Sequence, residues 1–208
     1  RANVDRKNLE YLPELTRIAR DRGWAGNPAF SCSLAPVKDH LGSGTIPNVT
    51  PDAELLSTLL DVYDNNPDSE EFFGFQGFQI LTPVAGLIDK ERATLPRVYH
   101  CEANYGGFWV AGPDGYLYAC PEAIGQPHLA IGRFAPNLEI WHEARDNWAN
   151  RNIGTIPQCG DCAVGPLCGG GCTYASLAHG QGNLKPDCDP GLEEAVGVFL
   201  RRRVINSC

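Results

Sequence analysis

Seven of the chain's nine cysteines fall between positions 101 and 188, in a train with short internal spacings. Cys101 is followed by thirteen residues, Gly115, four residues and Cys120. Then come Cys159, two residues, Cys162, five, Cys168, three, Cys172 and, after fifteen more, Cys188. Thiolates at such spacings can converge on a small centre if the backbone between them folds back. Gly169, Gly170 and Gly171 supply that freedom between Cys168 and Cys172. Four ligands satisfy one zinc ion or one [4Fe-4S] cluster, so seven imply two centres, one of them a ligand short. The spacing alone is as compatible with structural zinc as with iron and sulfide.

Composition says where such thiols operate. A chain of 208 residues, 43% of them hydrophobic, buries a substantial core and does not depend on cross-links. It shows no leader-like apolar stretch and no apolar run of the roughly 18 residues that a membrane span requires, so the expectation is a soluble protein of the reducing cytoplasm, with no membrane partner. Metal binding is favoured over disulfides there. The net charge of -8 is concentrated in residues 38–91, with ten acidic side chains against two lysines, which excludes nucleic acid as a partner. That stretch is expected to be a solvated helix face, the alternative being attraction of a basic peptide. Methionine is absent even at position 1, which implies that the sequence is not a complete translation product.

The elements that must position the cysteines follow from periodicity. The opening residues predict a strand ending near Val4. A helix follows, with Leu9, Leu12, Leu15, Ile18 and Ala19 on one face, Asn8 as its cap and Gly23 as its stop. "AFSCSLAPV" predicts a second strand, and "PDAELLSTLLDVY" a second helix with Pro51 in its first turn. This is the order of a parallel α/β sheet. Two such units leave a strand edge that dimerisation or residues 70–90 should cover. From about residue 97 the texture changes, with the candidate boundary at 92–98. "GGFWVAGPDGYLYAC" predicts a hairpin, "LEIWHEARDNWANRNI" an amphipathic helix with Leu138, Trp141, Ala144, Arg145 and Trp148 on its stripe, and Pro190 to Val204 a closing helix.

The cysteine train, with "PDGYLYAC" and "PLCGGGC", resembles the SPASM domain, the C-terminal extension of radical SAM enzymes that modify peptides and proteins. The opening "RANVDRKNLEYLPEL" and "FSCSLAPV" are similar to the last strand and helix units of the radical SAM partial barrel. The resemblance covers nearly the whole chain. It implies an α/β fold in which residues 1–96 are the last βα units of that partial barrel and residues 97–208 a small SPASM module of β-hairpin, helix, cluster-binding loops and C-terminal helix. It further implies two auxiliary [4Fe-4S] clusters. Cys159, Cys162, Cys168 and Cys188 would hold the distal one, and Cys101, Cys120 and Cys172 the nearer one.

The chain departs from the family pattern in three places. Many members carry a further cysteine shortly before the position of Cys101, where "ATLPRVYH" has none. The nearer cluster would keep an open iron, available to substrate sulfur, or take an unusual ligand, with His100, Cys32 and Cys208 read as bystanders. The Cys-x3-Cys-x2-Cys motif of the catalytic cluster is also missing, since Cys32 is the sole cysteine in the first hundred residues. Cleavage of S-adenosylmethionine would need a missing N-terminal half, and this chain alone is expected to be inactive, with no catalytic residue assigned. Finally, Pro121 and not an acid follows Cys120, and Glu122 comes one residue late, which disfavours sulfatase maturation.

The resulting expectation is the auxiliary-cluster portion of a radical SAM oxidoreductase acting on a peptide or protein substrate. Its other partners would be the N-terminal half and a reductant protein. The alternative is a non-catalytic module in which the same thiols hold structural zinc and the α/β part binds a partner. His128, His142 and His179 lie at no metal spacing. Trp109, Tyr116 and Tyr118 are expected to pack the hairpin, and Arg201, Arg202 and Arg203 to end the last helix where cations suit its dipole. Residues 154–165 are expected to have little besides metal to order them, and oxygen to pair Cys159 with Cys162.

Overall fold

The computed structural model describes residues 1–39, 46, 49–75, 78, 81, 83, 84, 95–180 and 182–204. In chain order its regular elements are β1 (Ala2–Val4), α1 (Leu12–Asp21), β2 (Leu34–Pro36), α2 (Asp52–Asn65), α3 (Pro67–Phe73), β3 (Val110–Ala111), β4 (Tyr116–Tyr118), β5 (Ala130–Arg133), β6 (Glu139–Ile140), α4 (His142–Ala149), α5 (Gly165–Cys168), α6 (Thr173–Ala178) and α7 (Leu192–Arg203). The fold is mixed α/β. Two compact units divide it, one of residues 1–95 with 190–208, the other of residues 96–189. Among the described residues no helix is long and apolar enough to cross a membrane.

In the first unit β1 and β2 run parallel, with Ala2 opposite Leu34 and Val4 opposite Pro36, and α1 joins them. Asn8 ties the β1–α1 turn and does not cap the helix. Its side-chain oxygen accepts from the Asp5 amide at 3.0 Å, and its nitrogen donates to the Asn3 carbonyl at 3.1 Å. Leu12, Thr16 and Ala19 form the buried stripe of α1, while Leu15 and Ile18 are half-buried. Gly23, at φ 69°, reverses the chain beyond the helix. Pro51 stands just before α2, where its missing N–H leaves no helical carbonyl unpaired. Leu55, Leu56, Leu59 and Leu60 are buried along that helix, each contributing about 1.5–3 kcal/mol. The strand-edge cover expected from residues 70–90 falls largely outside the described residues.

The closing helix packs with this first unit, whereas the sequence groups it with the cysteines from residue 97 on. It packs along α2, and Phe199 meets the edge of Phe75 with ring centroids 4.9 Å apart. Arg202 pairs with Asp61 at 2.7 Å and with Asp64, and Arg203 with Asp64 at 2.8 Å and Glu70 at 2.9 Å. Arg6 with Glu54, Arg20 with Asp68 and Lys38 with Asp52 neutralise more of the acidic stretch. Its charge is therefore met largely from within the chain.

The second unit is built on an antiparallel sheet in the order β3-β4-β5-β6. The β3–β4 hairpin turns at residues 112–115, where the Gly115 amide donates to the Gly112 carbonyl at 3.1 Å. The Asp114 carboxylate accepts from the Tyr118 hydroxyl and from the Tyr116 amide. Tyr118, Ile131, Trp148 and Tyr174 lie in one apolar core. Tyr118 is buried and Tyr116 leans on Trp141, whereas Trp109 is exposed, so two of the three expected packing aromatics face inward. The helix expected from Leu138 starts only at His142. Glu139 and Ile140 pair instead with Arg133 and Gly132, and Leu138 stands 69% exposed.

Candidate metal centre

Cys101, Cys120 and Cys172 occupy equivalent local positions. Each immediately precedes a helical turn: Glu102–Tyr105, Pro121–Ala123 and α6 respectively. None makes a capping hydrogen bond through its sulfur, but the backbone N–H groups of Ala103, Glu122 and Ala175 favour the respective thiolates. All three side chains pack against the apolar core of the unit. Burial raises each thiol pKa, that of Cys120 to about 11, with the neighbouring Cys172 and Cys101 adding to it. Behind them lies Asn104, 1% exposed, whose amide donates to the Cys101 carbonyl at 3.1 Å and whose side chain donates to Trp148 O and Thr173 Oγ1.

The other four thiols come from three consecutive turns and a returning segment. The Cys162 amide donates to Cys159 O at 3.3 Å, Gly165 to Cys162 O at 3.0 Å, and Cys168 to Val164 O at 2.9 Å. Ile156, 1% exposed, anchors this run. Residues 154–165 thus have turn hydrogen bonds and a buried side chain of their own. Cys159 is raised by burial and then by Cys168, Cys188 and Cys162, and Cys188 by burial and then by Cys168 and Cys162. The dominant thiol–thiol interactions therefore fall within two sets, Cys159/Cys162/Cys168/Cys188 and Cys101/Cys120/Cys172. Cys162 and Cys188 are exposed, so the two sets differ in their access to water.

Three residues, all glycine, separate Cys168 from Cys172, and they send the two thiols to different sets. Gly169, Gly170 and Gly171 have φ of 74°, 91° and 75°, a left-handed run that other residues resist. A Cβ on Gly169 would stand 2.5 Å from the Tyr99 carbonyl, and one on Gly171 1.9 Å from the Asp187 carbonyl. The Asp187 amide donates to Gly170 O at 3.3 Å, which docks the segment carrying Cys188 on this ribbon. Arg151, fully buried, also holds the ribbon, donating to Gly171 O at 2.7 Å, Gly170 O at 2.8 Å and Lys185 O at 2.9 Å.

The eight cysteines among the described residues are all free thiols, Cys159 and Cys162 included. No group of three or more His, Cys, Asp or Glu side chains among the described residues closes on a single ion. The donor chemistry nevertheless fits anionic thiolate centres: seven free thiols in one compact unit, and a buried guanidinium among them. His100 serves the backbone. Its Nδ1 donates to Cys168 O at 3.1 Å, and burial, ahead of Arg97 and Arg151, holds its pKa below the ordinary value. Cys32 sits in the first unit, Cys208 lies outside the described residues, and Glu122, His128, His142 and His179 are exposed.

Sequence reasoning missed Arg151, Asn104 and Asp187. In "WANRNI" Arg151 reads as a solvated loop charge, and no local pattern marks it as buried. No family model matches this chain, and no curated protein matches it.

Proposed function

We propose that this chain is the auxiliary-cluster portion of a radical SAM oxidoreductase that modifies a peptide or protein. In this reading Cys159, Cys162, Cys168 and Cys188 hold one [4Fe-4S] cluster, and Cys101, Cys120 and Cys172 hold a second. The observation that supports it is the three-glycine left-handed ribbon between Cys168 and Cys172, together with seven free thiols in one compact unit. When bound, such clusters exchange single electrons, and the one with three thiolate ligands keeps an iron for a substrate atom.

The protein's own part is environment. The apolar core around Cys101, Cys120 and Cys172 excludes water and lowers the local dielectric, which strengthens every charge interaction at that set. Exposed Cys162 and Cys188 leave the other set open to a reductant protein. S-adenosylmethionine and its radical chemistry belong to an N-terminal half that carries the Cys-x3-Cys-x2-Cys motif.

Purification without oxygen, with iron, zinc, sulfide and visible absorption measured together, tests the reading. About eight iron and eight sulfide per chain, with broad visible absorption, is the expected result. A colourless protein with zinc and no acid-labile sulfide, even after reconstitution, would refute it in favour of a structural zinc module with a partner-binding α/β part.

A further inference from the structure

We propose that Arg151 is a fixed positive charge shared by both thiol sets, a positioning residue that holds the Cys168–Cys172 ribbon and raises the reduction potential of both centres. The inference rests on the function proposed above. A fully buried guanidinium normally needs a carboxylate, because an unpaired charge in a low-dielectric interior is costly. Arg151 has no such partner among the described residues. Its contacts are the carbonyls of Gly170, Gly171 and Lys185 and the Thr173 hydroxyl, and its Nε has no hydrogen-bond partner.

The anions within reach are thiolates and the carboxylate of Asp187, which does not pair with it directly. One point beside Gly170, where a Cβ would stand, is 3.7 Å from Arg151 Nη1 and 4.0 Å from Cys159 Sγ. Nη1 also touches Thr173 Oγ1, in the residue after Cys172. The guanidinium thus lies beside Cys172 of one set, contacting both of its chain neighbours Gly171 and Thr173, and close to Cys159 of the other. Each centre becomes more negative on accepting an electron, and a nearby immobile cation stabilises that reduced form. Asp187, whose amide shares the Gly170 carbonyl with Arg151, carries the opposite charge beside the same ribbon.

The test is an anaerobic dithionite titration, monitored by electron paramagnetic resonance, of the loaded protein and of Arg151→Gln, Arg151→Lys and Asp187→Asn, with iron and sulfide counted for each. For Arg151→Gln the reduced-to-oxidised ratio at fixed potential should fall roughly tenfold at both centres, about 59 mV for a one-electron couple. Arg151→Lys should remain near the parent protein, and Asp187→Asn should shift upward. Fully loaded Arg151→Gln with unchanged potentials overturns the proposal. So does failure of both Arg151 variants to load, with Asp187→Asn unshifted, which would leave a purely structural arginine. Zinc without sulfide in the parent protein is a different result, and sinks the functional reading itself.

Discussion

The carbonyl oxygen of Asp187 lies 1.9 Å from the point where a Cβ on Gly171 would stand. This contact locks the Cys188 segment onto the ribbon and leaves no side chain room. Gly171→Ala should therefore destabilise the cysteine unit by at least about 3 kcal/mol, combining a backbone clash with left-handed strain. Gly180, also left-handed at φ 66° but with nothing within 4 Å, is the control, and its alanine variant should cost only about 1–2 kcal/mol. Urea unfolding of the two variants separates clash from strain, and equal losses would count against the contact.

Two separate thiol sets predict half-losses. Cys162→Ala and Cys120→Ala should each remove about four of eight iron, while Cys32→Ala should remove none. Iron and sulfide counts on the three variants decide it, and a single substitution that empties both centres would show that the sets are one.

Thiol reactivity should follow burial. In metal-free protein Cys162, exposed, should alkylate well before Cys120, whose pKa burial pushes to about 11. Because that folded pKa exceeds the ordinary 9.0, the stabilising protonated form is fully held below pH 9 and lost as pH rises toward 11. Mass spectrometry after timed alkylation, alongside unfolding across that range, tests both parts, and Cys120 alkylating first would contradict the environment described.

Acid should act on the first unit through Asp64. Burial alone would raise its carboxyl, but the hydrogen-bonded guanidinium groups of Arg202 and Arg203 hold it below the usual value. A depressed folded pKa gives stability that is present above the unfolded value near 3.8 and lost as pH falls through the folded one. Asp64 is 44% exposed but Arg203 only 19%, and Arg203 also holds Glu70, so Arg203→Ala should cost about 1–2 kcal/mol at pH 7, less in high salt, and should flatten the acid limb of the stability curve. An unchanged acid limb would rule out this coupling.

What could be read from the sequence divides by distance. The thiol train, the three glycines, the β1–α1–β2 order and the 112–115 turn are all local patterns. Strands β5 and β6 escaped notice because four and two residues carry no usable period, and Trp141, Ala144 and Trp148 happened to extend a helical stripe back to Leu138. The place of α7 escaped for the opposite reason, since Arg202 meets Asp61 across 141 residues. Arg151 was hidden by its type, because arginines are mostly exposed and only tertiary packing turns this one inward.

The return of α7 to α2 gives the chain an unusual topology. Residues 96–189 leave the first unit and come back to it, so the cysteine-bearing part is an insertion anchored at both ends. If it melts on its own, it becomes a closed loop and not a free tail. Its unfolded state then has less conformational entropy than a terminal segment of equal length, which favours refolding in place.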